Sequence, residues 1–286
     1  MHQVSSYFTI GYLKKFPVQL LVYEECMRFI FVALISVFFI SACVSSETTT
    51  TVNSPGGKKM AFDPEGAADT RVKLALLYLQ NKQMQQAKEN LDTALKYQPD
   101  NAKVHRIFAY YYEKVNENDK AEEFYKESLS LDPDSGDTNH NYATFLCGQG
   151  EYEKAEAFFL KAISSSNYTR VARSYANAAI CSEKANDNEK AIFYYGYALS
   201  HSPNSNGINL SLAKLNITEK NYPAAILNLF AFQKDSKPTA ESLWQWIRLS
   251  YATGKEGSLS LYSTQLLQQF PESEQALNFL TNKYYD

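Results

Sequence analysis

The sequence has few residues that break or reverse a chain, with 11 glycines and 9 prolines among 286 residues. A loop-rich β-fold needs many such residues at its turns, so their scarcity favours long helices. Aromatic residues are plentiful instead, with 21 Tyr and 17 Phe available to fill the spaces between helices. Because 45% of the residues are hydrophobic and 21% are charged, the chain can bury a core and is not disordered overall.

Cysteine is also scarce. The four cysteines, Cys26, Cys43, Cys147 and Cys181, are too few and too scattered for a disulfide-rich scaffold. None stands in a CxxC pair, so the sequence predicts no structural zinc site.

Positive charge is not in excess, since the net charge is −3 and the isoelectric point is about 5.9. A general phosphate-binding surface needs many lysine and arginine contacts. The balance therefore predicts no nucleic-acid partner.

Catalytic motifs are missing as well. The four histidines, His2, His105, His140 and His201, are dispersed, with no HExxH, no Gly-rich phosphate loop and no GxSxG elbow. The carboxylates are explained by a solvated helix face. We therefore expect a protein that is not an enzyme, with no cofactor, no metal and no small-molecule substrate.

One cysteine follows a short apolar run. Phe29–Ile40 has twelve residues, interrupted only by Ser36, and Ser41-Ala42 then precede Cys43. A bilayer span takes about 20 residues, so the run suits the hydrophobic part of a signal peptide. The step resembles the bacterial lipobox, in which the cysteine after the cut is acylated; an uncleaved anchor or an ordinary signal is the alternative. Val44 stands where many Gram-negative lipoproteins kept at the inner membrane have Asp, which points to the outer membrane.

Residues 1–42 are therefore predicted to be a leader that is removed. Residues 1–26 show no clear periodicity and Met27 is a conventional start, so we interpret 1–26 as a start-site artefact; one long signal with Lys14 and Lys15 in its charged part is the alternative. Residues 43–66, which include four consecutive threonines, have little to bury and are predicted to be a lipidated flexible tether.

The body of the chain repeats itself. The alanines Ala87, Ala121 and Ala155 stand 34 residues apart, Ala191 follows after 36 and Ala225 after a further 34. Four residues after each alanine comes a leucine or an aromatic residue, and a proline ends several units. The small residue lets two helices approach closely, and the larger one fills the gap beside it. This pattern resembles the tetratricopeptide repeat.

The resemblance implies an all-α, tetratricopeptide-repeat superhelical solenoid of about six helix pairs over residues 67–271, with a C-terminal capping helix at 272–286. The sixth pair, Glu241–Ser273, is degenerate because Leu259 or Ser260 stands at the alanine position. An unrelated helical bundle is the alternative, but five units in phase are difficult to obtain otherwise.

Cys147 and Cys181 lie near the ends of the first helices of repeats three and four, 34 residues apart. If the two extra residues of this repeat lie in the turn Ser182–Ala191, both cysteines occupy the same position on adjacent helices. Adjacent axes lie about 8–10 Å apart, which allows a disulfide. Two buried free thiols are the alternative.

Stacked helix pairs form a concave groove lined by their first helices, which suits an extended peptide or a partner helix. For each candidate in the groove, an exposed helix residue without a binding role is an equally good interpretation. By repeat phase, the candidates for the lining are Arg106, Tyr110, His140, Asn141 and Thr144.

Three stretches go beyond a generic repeat: Asn139–Ile163, Asn177–Cys181 and Ser242–Ser273. They resemble the type IV pilus biogenesis and stability lipoproteins, the tetratricopeptide pilotins of Gram-negative bacteria. The resemblance spans roughly residues 43–274, with Asn-Tyr-Ala where the family has Asn-Tyr-Gly. It implies a disulfide between Cys147 and Cys181.

The resemblance also implies a function. The protein would be anchored by acyl chains on Cys43 at the periplasmic face of the outer membrane, bind the secretin subunits of the type IV pilus and promote their multimerisation. A general periplasmic scaffold for cell-wall enzymes or outer-membrane assembly is the alternative. A repeat domain attached to an enzyme would need a catalytic module, and no residues remain for one.

Overall fold

The computed structural model describes residues 62–285, and all regular secondary structure in this range is helical. The predicted leader, the lipidation of Cys43 and nearly all of the tether lie outside the described residues. The helices are α1 (Pro64–Gln80), α2 (Met84–Tyr97), α3 (Ala102–Lys114), α4 (Asn118–Leu131), α5 (Gly136–Gly148), α6 (Tyr152–Ser164), α7 (Val171–Lys184), α8 (Asn188–His201), α9 (Asn206–Thr218), α10 (Tyr222–Asp235), α11 (Ala240–Ala252), α12 (Glu256–Gln269) and α13 (Glu274–Leu280), followed by a 3-10 helix at Lys283–Tyr285.

The first twelve helices form six consecutive pairs, and α13 follows as a single helix. The predicted architecture of about six pairs and a cap is therefore confirmed. The expected boundary at residue 67 lies three residues inside α1, because Asp63 accepts a hydrogen bond from the backbone N–H of Gly66 and starts the helix there.

Polar side chains start most of the first helices. The oxygens of Asn101, Ser135 and Thr239 accept hydrogen bonds from backbone N–H groups that have no partner within the helix. Ser273 does the same for α13. Such a cap therefore starts four of the six first helices, whereas α7 and α9 begin without one.

Each pair turns through one residue in the left-handed conformation. The turn residues are 34 apart, except for a step of 36 between Gly150 and Asn186. A residue with a side chain is strained in this region, so its recurrence at four non-glycine positions indicates that the surrounding turn imposes it. The turn residues are Lys82 (φ 58°), Asn116 (φ 59°), Gly150 (φ 83°), Asn186 (φ 60°), Lys220 (φ 60°) and Gly254 (φ 67°).

The repeat alanines pack as the sequence predicts. On the second helices, Ala87, Ala121, Ala155, Ala191 and Ala225 are all fully buried. The larger residues four positions later are buried beside them, because residues i and i+4 lie on one face of a helix. These larger residues are Leu91, Tyr125, Phe159, Tyr195 and Leu229.

The extra two residues of the fourth repeat lie in the connection before α7. The other connections between repeats have four residues, whereas 165–170 has six. The expectation that they lie in the turn Ser182–Ala191 is wrong, because the left-handed Asn186 precedes Ala191 by the same five residues that separate Gly150 from Ala155. The longer connection lets Tyr168 turn inward and become buried.

The last helix covers the end of the stack. Ala276 of α13 is buried in one apolar cluster with Leu243, Ile247 and Leu266. Gln275 donates a hydrogen bond of 2.8 Å to Glu241, which is 34 residues earlier. α13 therefore occupies the place of a seventh first helix and keeps the core of repeat six away from water.

Within residues 62–285, no helix combines the length and the apolarity that a membrane crossing requires.

Candidate protein-binding groove

A groove crosses the first helices of repeats one to four. It encloses about 430 Å³, and all five residues expected to line it do so: Arg106, Tyr110, His140, Asn141 and Thr144. The first helices supply nearly all of the wall, as the repeat phase predicts. The other lining residues are Leu76, Gln80, Lys103, Ile107, Glu113, Tyr125, Arg170, Arg173 and Asn177.

Two arginines share one carboxylate at the edge of the groove. Arg106 lies with Nη2 3.8 Å from Asp137 Oδ2, and Arg170 donates a hydrogen bond to Oδ1 of the same residue. Only 13% of the Arg106 side chain is exposed, and this burial lowers its pKa while Asp137 opposes the change. One carboxylate therefore neutralises one of two guanidinium groups, and a positive charge remains.

A similar arrangement stands two repeats earlier. Asp69 pairs with both Lys103 and Lys73. The hydrogen bond from Lys103 has the largest effect on the pKa of Asp69 and that from Lys73 the next, and together they lower it to about 2. Asp69 therefore stays ionised, yet it again serves two cations. The pairs Asp69–Lys103 and Asp137–Arg170 each join a first helix, or its N-terminal residue, to the first helix of the preceding repeat.

Two further charged groups face the groove. Arg173 on α7 is exposed, and no ion pair or hydrogen bond from within residues 62–285 holds its guanidinium group. Glu113 accepts a hydrogen bond from the buried Tyr125, and its burial raises its pKa. Within the described residues, the arginine is therefore left without a hydrogen-bond partner, whereas the carboxylate is already engaged by Tyr125.

His140 lies at the bottom of the groove with 2% of its surface exposed, so its side chain is not free for the expected contact with a partner. Its Nδ1 lies 2.7 Å from Ser174 Oγ, which in turn lies 2.7 Å from the hydroxyl of Tyr168. Burial is the main cause that lowers the pKa of His140 to about 4, and the positive charges of Arg173 and Arg170 contribute to this lowering. The imidazole is therefore neutral at pH 7, and it joins α5 to α7 beneath the groove.

Amide groups stand above this network. Asn177 Nδ2 lies 3.4 Å from both His140 Nε2 and Thr144 Oγ1. Asn141 and Asn177 both stand two residues before the buried alanine of their helix, Ala143 and Ala179 respectively. Two equivalent amides therefore face the groove on neighbouring helices, where they can donate to and accept from a peptide backbone.

The apolar part of the groove is small. Ile107 is buried, and Leu76 and Tyr110 are half-buried. Lys114 Nζ lies 4.8 Å from the centre of the Tyr110 ring, so even this aromatic surface is next to a cation.

A disulfide joins Cys147 of α5 to Cys181 of α7, with the Cα atoms 5.7 Å apart. The two cysteines are not at equivalent positions, because Cys147 follows Ala143 by four residues and Cys181 follows Ala179 by two. The bond links the two first helices that carry Asn141 and Asn177, and it fixes their separation beside the groove.

Sequence reasoning missed Arg170, Arg173 and Asn177. Two extra residues before α7 offset these three residues from the 34-residue repeat. The spacing of 36 between Ala155 and Ala191 was the sequence signal that could have revealed this offset. His105 is buried, and its Nε2 lies 2.6 Å from the carbonyl oxygen of Pro99, so it does not face a partner. Across the described part of the chain, no group of three or more His, Cys, Asp or Glu residues is arranged to hold a metal ion.

Comparisons with known proteins agree with this geometry. Two family models, both described as tetratricopeptide repeat, match residues 72–136 and 124–157. A Haemophilus influenzae protein described as uncharacterized is 35% identical over 153 residues, which cover 54% of this chain and 79% of the relative. This chain belongs to the family of that protein. It is a tetratricopeptide-repeat protein.

Two solved structures resemble this repeat protein over nearly their whole length. Pseudomonas aeruginosa PilF is 27% identical, with a TM-score of 0.67 over 77% of this chain and 99% of PilF. PilW, described as a type IV pilus biogenesis factor, is 27% identical, with a TM-score of 0.66 over 74% of this chain and 98% of PilW. YrrB, a TPR protein, is 16% identical with a TM-score of 0.57, and supports the fold alone.

Proposed function

We propose that this protein is a scaffold in type IV pilus biogenesis. The observation that carries the proposal is the likeness to PilW, the type IV pilus biogenesis factor, over 98% of that chain. A tetratricopeptide-repeat solenoid binds other proteins along its groove and consumes nothing in doing so. The groove of repeats one to four is the surface that would hold the partner.

The partner in this proposal is the secretin subunit of the pilus. Acyl chains on Cys43 would hold the protein at the periplasmic face of the outer membrane, since each buried methylene contributes about 0.8 kcal/mol to membrane binding. A scaffold anchored there can retain secretin subunits where their ring assembles and raise their local concentration. The protein would favour the multimer by binding alone.

The test follows the secretin in a deletion strain complemented with the wild-type gene or with Cys43→Ser. Heat-resistant secretin multimers are measured by gel electrophoresis in separated inner and outer membranes. We expect the deletion to remove the multimers or to leave the subunits at the inner membrane. Cys43→Ser should fail to restore them, whereas the matched variant Cys26→Ser should restore them in full.

Two results would contradict parts of this proposal. Normal outer-membrane multimers in the deletion strain would show that the role lies in another envelope complex. Full restoration by Cys43→Ser would show that the scaffold works without a lipid anchor on Cys43.

A further inference from the structure

We propose that the groove of repeats one to four selects an extended acidic segment of its partner. This inference rests on the proposed scaffold function, but it does not depend on which pilus component is the partner. It follows from the charge, the length and the hydrogen-bonding groups of the groove.

The charge of the groove has the opposite sign to that of the whole chain. Arg106 and Arg170 share Asp137, and Lys103 and Lys73 share Asp69, so each carboxylate serves two cations. Arg173 adds a cation that has no ion pair within residues 62–285, and Glu113 adds a third carboxylate, so five cations stand against three carboxylates. The protein as a whole carries a net charge of −3. A local excess of positive charge within an acidic protein attracts a carboxylate-bearing ligand and orients it as it approaches.

The length of the groove suits an extended chain. Nearly all of the lining residues come from four first helices, α1, α3, α5 and α7. Adjacent helix axes lie about 8–10 Å apart, so three steps span roughly 30 Å. An extended chain advances about 3.3 Å per residue, and roughly nine residues therefore cross the groove.

The hydrogen-bonding groups also fit a peptide backbone. Asn141 and Asn177 are half-buried at equivalent positions of neighbouring helices, and each amide both donates and accepts. The network from Tyr168 through Ser174 to His140 holds the floor between them. Asn177 is placed against that floor, so its amide has a defined position before the partner arrives.

Two other ligands fit less well. The apolar face of an amphipathic helix would meet only Leu76, Ile107 and Tyr110, and charged groups surround them. A nucleic-acid strand needs many phosphate contacts, whereas the net charge of the protein is negative. Carboxylates on an extended peptide match both the cations and the amides.

The test measures binding of labelled nine-residue peptides to the purified full chain in detergent micelles by fluorescence anisotropy. One peptide alternates Asp and Ser, and the matched peptide alternates Lys and Ser. We expect the Asp–Ser peptide to bind with an affinity that falls as salt rises, and the Lys–Ser peptide to bind at least tenfold more weakly.

Arg173→Gln provides the decisive variant because the Arg173 side chain is exposed and makes no hydrogen bond or ion pair within residues 62–285. The variant loses a hydrogen bond to a charged group, so it should bind the Asp–Ser peptide at least about tenfold more weakly. Lys234→Gln is the matched control, since it removes one positive charge from the exposed surface of α10. Its affinity should equal that of the wild type, and the melting temperatures of all three proteins should agree.

Several results would overturn the inference. They are an Asp–Ser affinity that Arg173→Gln leaves unchanged, equal or tighter binding of the Lys–Ser peptide, and no Asp–Ser binding at millimolar peptide. Tighter binding of a nine-nucleotide oligothymidylate would assign the groove to nucleic acid instead. If acidic peptides bind while secretin multimers form normally without the protein, the groove does select acidic segments, but the proposed role in secretin assembly is wrong.

Discussion

Gly136 shows how a single residue sets the geometry below the groove. It is the first residue of α5, and a Cβ atom added to it would lie 2.6 Å from Tyr168 Cβ and 2.7 Å from Cγ. The Tyr168 Cβ atom is bonded to the backbone, so it cannot move aside by a change of rotamer. Tyr168 is in turn part of the network that places His140. Glycine is therefore required by a close approach at this position.

We expect Gly136→Ala to lower the free energy of unfolding by about 1–3 kcal/mol, the usual cost of overpacking. Gly148→Ala is the matched control in the same helix, where an added Cβ meets no atom within 4 Å. That change should be neutral or stabilise by up to about 1 kcal/mol, because alanine loses less backbone entropy than glycine. Urea unfolding of both variants measures the difference, and equal stabilities would contradict the packing account.

His140 gives a pH dependence with a definite sign. Its pKa in the folded protein is about 4, against 6.5 for the ordinary group, and the charged groups near it are Arg170, Arg173 and Asp137. Between these two values the unfolded chain binds a proton that the folded protein does not. Stability is therefore lost as the pH falls from about 6.5 towards 4, and the full difference amounts to roughly 3 kcal/mol.

The variant His140→Gln isolates this effect from that of other groups. We expect the wild type to lose more unfolding free energy than His140→Gln between pH 7 and pH 4, and the two curves to run parallel above pH 7. Urea unfolding at a series of pH values measures both curves. Parallel curves over the whole range would show that burial does not keep the imidazole neutral.

At the scale of single residues, the sequence predicted five of the residues that line the groove because helix periodicity fixes which face a residue occupies. It did not predict that His140 is buried. The inward turn of Tyr168 and the position of Ser174 cover this ring, and both depend on a connection whose path the sequence pattern does not specify.

Among the structural elements, the connection at residues 165–170 has the largest consequences. Its two extra residues offset the numbering of α7 from that of α5 by two, so Cys147 and Cys181 stand 34 residues apart yet at different repeat positions. The sequence predicted the helix pairs and their order from the alanine spacing. It located the extra residues in the wrong turn, because a change of period shows that residues are inserted but not where.

We expect the Cys147–Cys181 bond to stabilise the repeats by roughly 3–4 kcal/mol, the chain-entropy value for a loop of 34 residues. The double variant Cys147→Ala/Cys181→Ala should lose that amount in urea unfolding. A reductant should lower the midpoint of the wild type and leave that of the double variant unchanged. Mass spectrometry of unreduced, alkylated peptides checks the bond itself, and alkylation at Cys147 would show free thiols.

At the scale of the whole molecule, the solenoid could be predicted because five units in phase specify a stack of helix pairs. The charge of its groove could not be predicted in the same way. Lys103 and Asp69 stand 34 residues apart, and Arg106 and Arg170 meet at Asp137 only when three repeats are stacked. The groove is therefore a property of the assembled repeats.

The central claim is that this groove holds the secretin subunit. The most direct measurement places a photo-activated cross-linking amino acid at Asn141 in living cells, with Leu227 as the control. Leu227 is exposed on α10, which does not line the groove. After illumination, an antibody against the secretin should detect an adduct from position 141 and none from position 227. No secretin adduct at 141, or equal adducts at both positions, would contradict the account.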